Sequence, residues 1–119
     1  MFREIPEAPP GTVGFRLEGR LTREDYRLLA PILERSLDQE GGLAVLLDLS
    51  GFQGLAVRFG VMDLVRGRKY NRKLKRLAVL DDGLFAEWFT LKAARYLSAE
   101  VRAFAPGEEE RAWEWITEG

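Results

Sequence analysis

The chain contains no cysteine and no histidine. The first absence excludes disulfides and thiolate metal sites, and the second removes the commonest general base and the commonest metal ligand. Side-chain amides are scarce as well, with only Asn71, Gln39 and Gln53. Alongside many Arg and Glu residues, this makes the composition thermophile-like. No apolar run is long enough to cross a bilayer and no charged-then-apolar leader opens the chain, so a cytoplasmic location is expected. The sequence accordingly predicts no catalytic residue, no cofactor and no metal ion, and points away from an enzyme.

What is present describes an ordinary globular chain. Its 119 residues fit a single domain over 1–119, with 46% apolar and 31% charged residues. The organising stretch is residues 43–54, LAVLLDLSGFQG. Its near-continuous apolar run predicts a strand buried on both faces, closed by a tight polar loop at Asp48, Ser50 and Gly51. A strand of that kind is central to a sheet with helices on both sides, and the loop at its carboxyl end is where α/β folds place ligands.

The flanking segments fit that frame. Residues 1–5 predict a short edge strand, and a Pro-Pro-Gly turn leads to residues 12–18, where Val13, Phe15 and Leu17 alternate with smaller or polar neighbours. The next turn is expected at 19–21. Thr22 followed by Asp25 predicts a capped helix starting at Arg23, with Tyr26, Leu29, Ala30, Leu33 and Leu37 on its apolar face and Gly41 and Gly42 beyond its end. Pro31 falls inside that pattern and predicts a bend or an opened turn, not a stop. Residues 55–69 read as a helix that is apolar nearly all round as far as Val65. Residues 76–80 read as a strand leaving through Asp81, Asp82 and Gly83, residues 84–97 as an aromatic-rich helix, and residues 101–104 as a last edge strand. Pro106 and Gly107 then turn, and Glu108, Glu109 and Glu110 open a final helix docked by Ala112, Trp113 and Ile116.

Several pieces, taken in order and spacing, resemble one known family. They are GRLTREDY at 19–26, Pro31, LLDLSGFQG at 46–54, RLAVL at 76–80, Trp88, residues 100–104, and the terminal Ala112, Trp113 and Ile116. Over residues 13–116 the chain resembles the SpoIIAA-like branch of the STAS superfamily, named for sulfate transporters and anti-sigma-factor antagonists. The resemblance implies a mixed, mainly parallel sheet of four to five strands flanked by helices, with an antiparallel N-terminal hairpin. It implies no catalytic activity, and related folds include lipid-carrying domains. Phosphorylated members carry an acceptor serine in an Asp-Ser-Ser-Gly turn at a helix N-terminus, where amides and dipole receive a phosphate. This chain lacks that turn. Ser50 belongs to the Asp-Leu-Ser piece preceding it, and residues 53–56 stand where the acceptor would be, so Ser50 is a poor phosphoacceptor.

Three groups of residues invite a functional reading, each against a plainer one. Asp48, Asp81 and Asp82 sit at expected strand ends, where carboxylates hold Mg²⁺ in phosphoreceivers. The paired acids and the strand-ending lysine of receivers are missing, so turn-making is the expected use. Arg66, Arg68, Lys69, Arg72, Lys73, Lys75 and Arg76 fall within eleven residues that hold no acid, under a net charge of only -1. They describe either a solvated helix end or an anion site centred on Arg66, Arg68 and Lys69. With Tyr70 as the one aromatic in the run, no nucleic-acid platform is expected. Finally, Phe59, Val61, Leu64, Phe85, Trp88, Phe89 and Tyr96 form an apolar excess that serves as core, as a homodimer or other protein contact, or as a pocket for a lipid or other apolar ligand. The reading these lead to is a small non-enzymatic binding or regulatory module acting through protein contacts, foremost self-association, with an apolar-ligand carrier as the alternative.

Overall fold

In the computed structural model, which describes residues 2–6, 8–37, 43–55, 74–81 and 99–118, the apolar run from Leu43 is the middle strand of five. β1 (Phe2–Glu4), β2 (Thr12–Leu21), β3 (Leu43–Leu55), β4 (Leu74–Leu80) and β5 (Glu100–Phe104) stand in chain order across one sheet. β1 pairs antiparallel with β2, and every other pairing is parallel. Helix α1 (Arg23–Leu37) joins β2 to β3, and a short 3₁₀ turn (Pro106–Glu108) leads into the C-terminal helix α2 (Glu109–Thr117).

The two-residue period of the strands divides the core into two layers. Phe15, Leu17, Val45, Leu47 and Val79 point to one face, where Leu29 and Ile32 of α1 pack. Leu46, Ala78, Leu80 and Phe104 point to the other, against Ala112 and Ile116 of α2. Residues 44–49 are buried without exception, so the middle strand has strand neighbours on both sides and helical cover on both faces. Each large side chain so buried stabilises by roughly 1.5–3 kcal/mol. Gly14, on the α2 face of β2, leaves room for the Trp113 ring, which lies 2.7 Å from where a Cβ would stand.

Local signals set the element ends. The Thr22 hydroxyl accepts the Asp25 N–H at 3.1 Å, and the Asp25 carboxylate accepts the Thr22 N–H at 3.0 Å. This reciprocal box starts α1 at Arg23. The Thr22 N–H bond holds the Asp25 carboxyl below its ordinary value. The helix runs on through Pro31 to Leu37, because Pro removes one bond from a ladder whose apolar face is already anchored. The Pro-Pro-Gly turn closes with the Thr12 N–H donating to the Pro9 carbonyl at 3.0 Å, and Gly11 takes a φ of 79°.

Two expectations need correction. The chain does not turn at 19–21: β2 continues to Leu21, with Gly19 at a φ of 63° beside a register shift in its pairing with β3. Nor does β3 end in a tight loop at Asp48, Ser50 and Gly51. It extends to Leu55, the residue at which a helix was expected to begin. The physical reason is that polar and glycine residues read as a turn are absorbed as irregularities: between Arg16 and Glu18 on β2, β3 advances from Asp48 to Gly51, which is a bulge. β3 thereby outruns β4, whose last partner pair is Asp48 with Leu80. Among the described residues, 49–55 pair with β2 alone.

Candidate functional site

Strand order without reversal has a direct bearing on where chemistry can sit. Doubly wound sheets bind ligands in the crevice where strand order reverses, and among the described residues the sheet shows no such switch point. Polar side chains gather all the same at the level where β4 ends and β3 loses its pairing with it. Asp48 is the last residue of β3 flanked on both sides, and it is 7% exposed. Arg16, opposite it on β2, sends Nε to Asp48 Oδ2 at 3.3 Å and Nη2 to Glu109 Oε1 of α2 at 3.0 Å. The other carboxylate oxygen, Oδ1, accepts the Ser50 N–H at 3.0 Å and the Ser50 hydroxyl at 2.5 Å.

This arrangement is architectural. The Asp48 to Ser50 amide bond is the local side-chain contact Asp favours in turns, and it shapes the bulge. Arg16 then ties two strands to the start of α2, where Glu109 also suits the positive end of the helix. Both oxygens of Asp48 are therefore engaged with the protein. Ser50 is exposed, but it sits in a bulged strand and donates to a carboxylate. It is not at a helix N-terminus with amides pointed at it.

Asp81 follows β4, is 5% exposed, and donates its backbone N–H to the Phe104 carbonyl at 3.0 Å. Asp82 lies outside the described residues. Among the described residues, no three acidic side chains converge to hold a metal ion. The apolar set Phe59, Val61, Leu64, Phe85, Trp88, Phe89 and Tyr96 lies outside the described residues, as do Arg66, Arg68 and Lys69. From the basic run the structure describes Lys75 and Arg76. Lys75 is exposed. Arg76 is not a solvated charge: it donates to the Trp115 carbonyl near the end of α2, sits 5.0 Å over the Trp115 ring, and faces Glu100 at 3.7 Å and Glu118 at 4.0 Å. A cation there satisfies a terminal carbonyl and complements the helix dipole.

A second surface feature lies where β5 meets α2. Phe104 and Trp115 pack at 6.0 Å between ring centroids, and Arg102 lies 5.1 Å over the Phe104 ring. With Glu108, Arg111 and Glu118 they line an open groove of about 280 Å³. The Glu108 carboxylate accepts the Ala105 N–H at 3.0 Å and an Arg111 N–H at 2.8 Å, and these contacts hold its carboxyl below the usual carboxylate range. Arg16, Trp115 and Arg102 were not singled out in the sequence. The available signal for Arg16 was its phase: it shares a strand face with Gly14, opposite Val13, Phe15 and Leu17.

Comparison with known proteins agrees with the geometry. The SpoIIAA-like family model matches residues 12–117. No curated protein matches the chain. Among solved structures, an uncharacterised protein of the DUF3478 family with a SpoIIAA-like fold, from Shewanella loihica PV-4, is 27% identical with a TM-score of 0.77, over 97% of this chain and 93% of that one. The anti-sigma factor antagonist SpoIIAA in its unphosphorylated form is 16% identical with a TM-score of 0.67, over 100% of both chains, a likeness of fold alone.

Proposed function

The chain belongs to the SpoIIAA-like family, and on that premise we propose that it is a small non-enzymatic regulatory module that works through protein contacts in the cytoplasm. One observation carries the reading. Where α/β folds usually present reactive groups, the described carboxylate Asp48 has both oxygens bonded internally, to Arg16 and Ser50. That supports a scaffold whose strand ends stabilise the fold while its flanks make contacts. The apolar residues Phe59, Val61, Leu64, Phe85, Trp88, Phe89 and Tyr96 are the proposed contact set, foremost with a second copy. The solved structure of an anti-sigma factor antagonist with the same fold supports partner binding as the mode of action.

Native mass spectrometry of freshly purified protein tests the reading. The expected spectrum contains only the bare chain and its multimers. A stoichiometric added mass released by organic solvent would refute the module reading in favour of an apolar-ligand carrier.

A further inference from the structure

We infer that the outer edge of β5 is a self-pairing surface, joining two copies as an antiparallel ladder with its two-fold axis at Val101. The inference rests on the proposal of action through protein contacts and moves the contact between copies from the apolar set to this edge, leaving that set for other partners. β5 is the last strand of the sheet, and among the described residues no strand lies beyond it. Glu100, Arg102 and Ala103 are exposed.

Backbone direction fixes which groups an incoming strand meets. The Phe104 carbonyl accepts the Asp81 N–H, so Phe104 faces β4. Each residue of a strand sends its N–H and C=O to one side, alternating along the chain. Glu100 and Arg102 therefore also face β4, and Val101 and Ala103 present their N–H and C=O outward. Ala105 is the next outward residue, but its N–H is already donated to the Glu108 carboxylate at 3.0 Å.

In an antiparallel pair, outward residues must meet outward residues, which leaves few registers. A ladder centred on Ala103 would need the Ala105 N–H that Glu108 holds. Centring on Arg102 sets two guanidinium groups opposite each other, and centring on Glu100 does the same with two carboxylates; like charges directly opposite are destabilising. Centring on Val101 sets Glu100 of one copy opposite Arg102 of the other, twice. Those two pairs occupy non-hydrogen-bonded sites, where side chains come closest. Val101 then exchanges both backbone bonds with its symmetry mate, and Ala103 does so with Ala99. The edge is self-complementary in charge in this register and disfavoured in its rivals. The ladder is short, so the dimer is weak and concentration-dependent.

The test is sedimentation equilibrium of the full chain across a wide concentration range. The unsubstituted protein is expected to associate reversibly as a dimer. Ala103→Pro removes an outward N–H at an exposed position without touching the β4 ladder, and should weaken the dimer tenfold or more. Arg102→Glu and Glu100→Arg each set like charges opposite one another and should each raise the dissociation constant by roughly tenfold or more. Mixed in equal amounts, the two charge variants should associate again, a recovery that damage to the fold would not produce. Circular dichroism on each variant confirms that the sheet is retained. A chain that stays monomeric at every concentration would overturn this inference together with self-association as a mode of action. A dimer unaffected by Ala103→Pro and by the charge variants would overturn the edge assignment alone and return self-association to the apolar set.

Discussion

Replacing Gly14 with Ala isolates the packing of α2 against the sheet. A Cβ at Gly14 would stand 2.7 Å from Trp113 Cη2, 2.9 Å from Cζ2 and 3.1 Å from Ile5 Cδ1. Carbon atoms pack best at about 3.5–4.0 Å, so the indole must withdraw by close to an ångström. The ring is rigid and its helix is held by Ala112 and Ile116, both buried, so the withdrawal disturbs more than one contact. Overpacking of this kind costs about 1–3 kcal/mol. Against it, Ala restricts the unfolded chain and recovers about 0.4–1 kcal/mol. The net loss is roughly 0–2.6 kcal/mol, with a midpoint of about 1.3 kcal/mol. For 119 residues at ~2.1 cal/mol/K each, unfolding entropy near the midpoint is ~0.25 kcal/mol/K, which converts the loss into a Tm decrease of up to about 10 °C, centred near 5 °C. The assay is thermal and urea unfolding of Gly14→Ala, Trp113→Leu and the double variant. With the indole gone, Gly14→Ala should be neutral or stabilising, giving a positive coupling in the cycle. An equal cost for Gly14→Ala in both backgrounds would refute the argument.

Four further outcomes follow from the described contacts. Asp48→Ala strips Arg16 and Ser50 of a buried partner and should cost roughly 1–3 kcal/mol in urea unfolding. Glu109→Gln, at a more exposed pair, should cost about 0–1 kcal/mol, and a reversed order would contradict the geometry. Thr22→Ala removes the hydroxyl that caps α1 and should destabilise by about 1 kcal/mol, read from the urea midpoint. Asp25 and Glu108 have lowered folded values, held down first by the backbone N–H groups of Thr22 and Ala105. Their contribution is complete above the ordinary carboxylate value and disappears as pH falls through the lowered folded value. Unfolding midpoints measured from neutral into the acid range should therefore drop less for Asp25→Asn or Glu108→Gln than for the unsubstituted chain, and parallel curves would refute this.

The parts of the fold that were legible in the sequence share a physical basis. Residues 43–48 could be assigned to a two-sided interior strand because burial on both faces demands a nearly continuous apolar run, a pattern few other environments tolerate. Thr22 and Asp25 announced the start of α1 because reciprocal capping has a fixed spacing. Ala112 and Ile116 declared the docking face of α2 by helical period. The carboxyl end of β3 is illegible in the sequence for an equally definite reason: Asp, Ser and Gly make turns and bulges by the same local hydrogen bonds, and only the partner strand decides between them. Arg76 was read as one charge in a basic run, since nothing in the local sequence reveals that Trp115 and Glu118, far along the chain, close around it. The same holds for Arg16, whose partners Asp48 and Glu109 lie in separate elements.

The overhang of β3 past β4 gives one strand two different dynamic regimes. Residues 44–48 are held by ladders on both sides, and releasing their amides to solvent requires taking the sheet apart. Among the described residues, 49–55 hang from β2 alone, through a ladder interrupted at two places. Amide protons there should exchange with deuterium through local opening, orders of magnitude faster than those a few residues earlier. The boundary between slow and fast exchange would fall at Asp48, where Arg16 and Ser50 fasten the carboxylate, so that side chain acts as the clamp at which fraying stops.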